Sequence, residues 1–248
     1  MPPDQDRAPR RALRADARDN RRKLIQAARD VLIDRGPAAP LEEIARRAGT
    51  GIATLYRHFP DRQALIRDVI LDALQATNDE ARQAAAEEPD PFRALARYMH
   101  RAIDVRTAAV IPALLAEAPF DDPELSQARQ TGTALLEALV DAAHQAGTLR
   151  ADVTPADIGL LIVRLSRPLP GGFSAETNTS LSHRHLDLLI DGLRATARQP
   201  AHLAGPALTL TDLRQLTQPG TRTPGPPQAT PGTSFQTPTP ATHPPPAA

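Results

Sequence analysis

The chain has 248 residues, 29 Lys and Arg against 29 Asp and Glu, and no cysteine. That length holds one helical domain with appendages or two small ones. The lack of cysteine excludes disulfide staples, thiolate metal sites and cysteine nucleophiles, and a reducing cytoplasm is the expected compartment.

Residues 1–19 are charged and proline-bearing, with no apolar segment that would serve as a secretory signal, and are expected to form a flexible basic arm. The longest apolar runs, such as "AAVIPALLA", fall short of the roughly 18 residues a spanning helix needs. A soluble protein with no membrane partner is expected. Charge is unevenly placed: residues 1–74 carry 15 basic and 11 acidic side chains, residues 75–200 carry 12 and 17. The basic end is thus placed to meet phosphates while the acidic body points away.

Alanine, leucine and arginine dominate the first 200 residues and no stretch alternates with period two, so the fold is expected to be all-α. The first periodic helix runs from about Asn20 to Arg35, with Leu24, Ile25, Ala28, Val31 and Leu32 on one face and Gly36 as its stop. "PLEEIARRAG" predicts a shorter second helix that begins after Pro40 and ends at Gly49, and "GIATLYRHF" a third. A long fourth follows Asp61, whose carboxylate suits an N-cap.

A small residue at Ala45 lets the next helix cross close by, and Gly49 accepts the positive φ of a tight inter-helix turn. This is helix-turn-helix spacing. Leu55 and Phe59 pack back onto the second helix, which leaves Ala53, Thr54, Arg57 and His58 facing outward with Tyr56 on the border. Small or hydrogen-bonding side chains suit a helix laid in a major groove; Arg57 can pair with guanine or phosphate, and Thr54 and Tyr56 can donate to phosphate. Two readings stay open for Ile52, core packing or contact with a thymine methyl. Arg21, Arg22 and Arg62, near the starts of the first and fourth helices, add cations on the same side, with free helix-start amides beside them.

With these residues in view, Arg21 to Leu74 resembles the DNA-binding domain of the TetR family of bacterial transcriptional regulators: "EIARRAG", "TLYRHF" and "DRQAL" stand in the family's order and spacing. The resemblance implies DNA contacts at Thr50, Ile52, Ala53, Thr54, Tyr56, Arg57, His58 and Arg62. Two positions depart from the family pattern, Gly51 at the recognition-helix cap and Pro40 before the second helix, and each removes a hydroxyl near the phosphates.

After "EEPDP" further helices are predicted near Pro91–Thr107, Ala108–Ala118, Glu124–Ala146, Pro155–Arg167 and His183–Arg198, with "PLPGGFSAETNTS" as the loop between the last two. This layout is similar to the antiparallel helical bundle of the family's ligand-binding and dimerisation domains. The resemblance implies a homodimer through the last two helices, where Ile158, Leu161, Ile162 and Leu165 and then Leu186, Leu189, Ile190 and Leu193 form stripes wide enough for core plus partner; core alone is the other reading. Phe92, Tyr98, Met99, Ile103, Phe120 and Phe173 are candidates to line a cavity for an unidentified small molecule, or else core, and Arg164 is placed to meet an acidic group. The spacing of His144, His183 and His185 forms no metal site, and no cofactor is expected. From Gln199 onward 12 of the chain's 26 prolines mix with Thr, Ala and Gly, so a disordered tail is expected, inert or partner-recruiting.

The expected organisation is therefore an arm at 1–19, a helix-turn-helix domain at 20–66, a ligand-binding and dimerisation domain at 67–198 and a tail at 199–248. The expected function is a homodimeric repressor released from a palindromic double-stranded DNA operator by a small molecule. The alternatives are an activator, a regulator without a ligand, or a helical binding protein or enzyme. The last finds little in the sequence, with no Gly-rich phosphate loop and no Ser-His-Asp arrangement.

Overall fold

The computed structural model describes residues 7–105, 122–167, 169, 171, 173–195, 203, 205, 207–210 and 212, with side chains in the first helix from Arg18 onward. Eight α-helices and no strand occur among them: α1 Arg7–Arg35, α2 Leu41–Arg47, α3 Ile52–His58, α4 Arg62–Glu87, α5 Pro91–Val105, α6 Pro123–Gln145, α7 Pro155–Leu165 and α8 Ala175–Leu193. The helix predicted at 108–118 and Phe120 lie outside the described residues.

Two predicted boundaries shift. Residues 7–19, expected as a flexible arm, continue α1 as helix. The segment is rich in Ala, Arg and Leu, and its Pro9 falls in the first turn, where amides have no intrahelical partner to lose. Likewise α8 starts at Ala175, inside the predicted loop, because the Ser174 side chain accepts from the Thr177 amide at 3.1 Å and caps it.

The apolar side chains form two cores. Leu24, Ile25, Ala28, Val31 and Leu32 of α1, Ile44 and Ala45 of α2, Leu55 of α3, Phe59, and Leu65, Ile66, Val69 and Ile70 of α4 make the first, joined by Leu125 of α6. The second gathers Phe92, Leu95, Tyr98, Met99 and Ile103 of α5, Leu136, Leu139 and Val140 of α6, Ile158 and Ile162 of α7, and Leu186 and Ile190 of α8. Each such aliphatic or aromatic side chain stabilises by about 1.5–3 kcal/mol when fully buried.

α4 belongs to both cores. Asp61 caps it by accepting from the Ala64 amide at 2.7 Å, its first turns fill the first core, and Ala81 and Ala84 fill the second. Small residues let α6 approach closely: a Cβ at Gly132 would lie 2.6 Å from the Asn78 Oδ1 atom. Asn78, itself buried, donates to the Ala128 carbonyl at 2.9 Å across the same contact.

α7 starts with a reciprocal cap, in which the Asp157 amide donates to the Thr154 hydroxyl and the Thr154 amide to the Asp157 carboxylate. The stretch from Leu203, expected within the disordered tail, meets this corner: the Leu203 amide donates to Asp152 at 2.9 Å and the Thr154 hydroxyl to the Leu208 carbonyl at 3.1 Å. Asp152 has acceptor capacity left over from its pair with Arg150, and the Thr154 hydroxyl shares its one proton between Asp157 and the Leu208 carbonyl.

Candidate nucleic-acid interface

The turn between α2 and α3 is closed by its backbone. Gly49, at φ +69°, donates to the Arg46 carbonyl at 3.1 Å, and Thr50 donates to the Ala45 carbonyl at 2.9 Å. These two bonds satisfy carbonyls that the helix end would otherwise orphan, and they need a residue that adopts positive φ without strain. α3 then leaves from Gly51, and neither Gly51 nor Pro40 makes a side-chain cap.

On α3, Leu55 is fully buried and Phe59 nearly so, which fixes the helix against α1, α2 and α4. Ala53, Tyr56 and Arg57 are exposed, with Tyr56 at 49%, while Thr54 and His58 are half-buried. Ile52 packs its side chain against the edge of the core. Of the set read as outward, Ala53 and Arg57 are exposed while Thr54 and His58 are half-buried, and Tyr56, read as on the border, is exposed; core packing accounts for the buried part of Ile52.

The cations around it are more engaged than the sequence implied. Arg21 pairs with the buried Asp68 and lies over the Phe59 ring, 5.0 Å from its centroid, so its first role is to hold the end of α3. Arg62 donates to the Ala39 carbonyl at 2.8 Å, tying α4 to the loop before α2. Arg22 pairs with Asp19 at 2.6 Å on the open surface, a contact that phosphate can replace at little cost. At the start of α4 the Asp61 carboxylate already takes a first-turn amide, so that end is not a free anion site. The Thr50 hydroxyl is buried without a partner rather than presented outward.

His58 Nε2 is also buried without a partner. Burial, reinforced by the charges of Arg57 and Arg21, holds its pKa below the ordinary histidine value. These causes favour the neutral imidazole over the charged one.

The body residues singled out as ligand contacts separate. Phe92, Tyr98, Met99 and Ile103 are packed into the second core, where burial alone pushes the Tyr98 hydroxyl up to about 12. Phe173 is half-exposed, and Arg164 is exposed at the end of α7. Helical periodicity identifies an inward face without telling a packed core from a cavity wall. Two cavities flank the α4–α6 contact instead. One of about 390 Å³ is lined by Gln75, Asn78, Arg82, Gln127 and Thr131 among others. Another of about 210 Å³ is apolar, between Ala81, Pro91, Leu135 and Leu139.

Arg129 on α6, which sequence reasoning passed over, has Nε and Nη2 buried with no partner, and burial lowers its pKa. No periodic signal distinguishes it from the surface arginines nearby.

The two apolar stripes also divide. Ile158, Ile162, Leu186 and Ile190 are inside, Leu161, Leu165 and Leu193 lie at the edge of the core, and Leu189 is exposed. Leu188, unassigned from sequence, is 65% exposed beside it.

An ion-pair chain links α4 to the start of α6. Arg67 of α4 reaches Asp68 at 3.0 Å, Glu124 at 2.7 Å and Asp122, the cap of α6. Hydrogen bonds from Arg67 hold the Asp122 carboxyl below the usual carboxylate range, and those to Asp122 and then Glu124 raise the Arg67 pKa. Asp68 carries the chain on to Arg21 and so to Phe59.

Residues 24–69 match the family described as bacterial regulatory proteins, tetR family, and residues 90–195 match the SbtR-like transcriptional regulator C-terminal domain. Among solved structures, the TetR transcription regulatory protein from Mycobacterium vanbaalenii is 34% identical with a TM-score of 0.54, over 74% of this chain and 99% of that one. The HTH-type transcriptional repressor LfrR of Mycolicibacterium smegmatis is 29% identical over 182 residues, 70% of this chain and 87% of its own length. A structure of LfrR in complex with proflavine shares the fold, with a TM-score of 0.50 at 20% identity over 68% of this chain and 95% of that one.

Proposed function

The chain belongs to the TetR family of bacterial transcriptional regulators, DNA-binding proteins rather than enzymes, and on that premise we propose that it is a homodimeric repressor released from an inverted-repeat operator by a small molecule. The observation that carries the reading is α3 itself: Leu55 and Phe59 anchor it, while Ala53, Tyr56 and Arg57 stand exposed beside Thr54.

One seven-residue helix reads only a few base pairs, so a two-fold dimer with half-sites about 34 Å apart, or a multiple of that, supplies the rest of the specificity. The exposed Leu188, Leu189 and Phe173 support a partner surface along α8. A ligand beside the α4–α6 contact would act on the helix that also packs under α3, with Arg82 the cation in that lining for an acidic substituent. The switch is then the difference in ligand affinity between the two conformations, and DNA weakens ligand binding by the same factor.

Selection of the purified protein on a randomised duplex library tests this, with a Tyr56→Ala, Arg57→Ala double variant in parallel. An enriched inverted repeat that the variant loses is expected. Enrichment of a single half-site would remove the dimer, and no enrichment by ligand-stripped protein would remove sequence-specific binding.

A further inference from the structure

α5 and α8 are joined by four side chains in a row. His183 Nε2 lies 2.8 Å from Asp104 Oδ1, His183 Nδ1 lies 2.8 Å from His100 Nδ1, and His100 Nε2 lies 3.1 Å from Asp187 Oδ1. The two rings are nearly coplanar and meet edge to edge, with 12° between their planes and 5.1 Å between centroids. Asp104 and His100 belong to α5, His183 and Asp187 to α8.

The proton count of this row follows from its chemistry. A carboxylate only accepts, so His183 Nε2 donates to Asp104. His100 Nε2 stands 3.1 Å from an Asp187 oxygen as an ion pair, and a proton there faces that charge. With both Nε2 atoms protonated and no other proton, two Nδ1 lone pairs face each other at 2.8 Å and repel; moving the His100 proton to Nδ1 instead turns the Nε2 lone pair toward the carboxylate. A proton on each Nδ1 would set two N–H groups against each other. Three protons on the four nitrogens meet every contact.

We propose that His100 and His183 form one proton-binding site, and that the shared proton clamps α8 to α5. The negative charge that offsets it comes from both helices, Asp104 on one side and Asp187 on the other. Arg101 stands behind Asp104 at 3.6 Å and is itself held by Glu80 of α4 at 3.2 Å. Among the described residues, α6 and α7 place no charged partner on either ring. Nor does any group of three or more His, Asp or Glu side chains there have the arrangement to hold a metal ion.

Histidine changes charge between about pH 5 and 8, and two coupled rings lose their protons in steps that belong to the pair. The clamp is closed between those steps. As pH rises, the shared proton leaves; the clamped state then binds more protons than the open one, so stability falls with rising pH. As pH falls, the second proton arrives and again parts the rings. A bell-shaped contribution follows, which independent surface histidines would not give.

The test is the melting temperature of the full chain from about pH 4.5 to 9 for the wild type, His100→Gln, His183→Gln and the double variant. At the top of the bell each single variant is expected to melt about 2–4 °C below the wild type, the double variant no lower than either, and the gaps to close at both pH extremes. Gaps that change in one direction only, or single effects that add, overturn the proposal. Nitrogen-15 NMR of histidine-labelled wild type is the check that needs no variant: both rings should shift in the same two steps, and separate single-step titrations refute the shared proton. Stabilisation of the wild type by nickel or zinc, absent in His183→Gln, would replace the proton with a metal ion.

Discussion

In the half built on α1, α2, α3 and the start of α4, apolar side chains close inward around Leu24, Ile44, Leu55 and Phe59, and the groups left outside are polar or small: Thr54, Tyr56, Arg57. Buried polar atoms without a partner occur in both halves, the Thr50 hydroxyl and His58 Nε2 in the first and Nε and Nη2 of Arg129 in the body. The body differs in its exposed leucines, Leu188 and Leu189. On the proposed function, the polar and small groups of the first half face DNA, and the exposed leucines of the body are the surface a second copy would cover. An exposed apolar patch is the departure from hydrophobic-in, polar-out that separates the two halves.

The largest expected effect that would break this contrast is at Leu55. Leu55→Ala should cost about 2–5 kcal/mol in chemical denaturation and abolish operator binding, while Leu188→Ala should leave the stability of a protomer within about 0.5 kcal/mol. Similar losses at the two sites would mean that Leu188 is core after all. Next, Arg57→Ala should weaken the cognate operator by about 1–3 kcal/mol and leave random DNA nearly unaffected; equal losses on both would confine Arg57 to phosphate. Arg129→Met should raise the stability of ligand-free protein, by up to about 1–3 kcal/mol, since it removes buried donors that have no partner. A drop instead would show that the guanidinium is already satisfied.

The smallest effect concerns His58. Its folded pKa is lowered, so the unfolded chain binds that proton more readily, and the associated stability is present above the unfolded value of about 6.5 and lost as pH falls through the folded one. Melting curves of wild type and His58→Gln should therefore diverge in acid, with the wild type losing more. Operator phosphates near Arg57 should shrink that divergence, and an unchanged gap on adding DNA would place His58 away from the backbone.

Most of the helical frame was legible because its punctuation is local. Gly36, Gly49, Asp61 and Thr154 end or start helices through backbone bonds and caps that a sequence shows directly. The start of α8 was missed because "SAETNTS" reads as loop by composition, and only the Ser174 cap makes it helix. The exposure of Ala53 and Arg57 was legible at fixed spacing from Gly49, whereas the half-burial of Thr54 and His58 was not. What the pattern did not carry was pairing over distance: that Arg21 serves Asp68 and Phe59, that Arg62 serves Ala39, and that His100 meets His183 depend on which helices lie side by side. Nor does an inward face say whether Phe92 or Met99 fills space or borders it.

If the proposed release by a ligand tilts α4 about the contact where Gly132 leaves no room beside Asn78, the helix is a lever with unequal arms. From Asn78 back to Arg62 the helix runs about 24 Å, and forward to Glu87 about 14 Å, at 1.5 Å per residue. A displacement of 1 Å at the far end of α4, turned about that fulcrum, becomes roughly 1.7 Å beneath the recognition helix. In a two-fold pair the two shifts add, so roughly 1 Å of movement on each side changes the half-site spacing by about the height of one base pair.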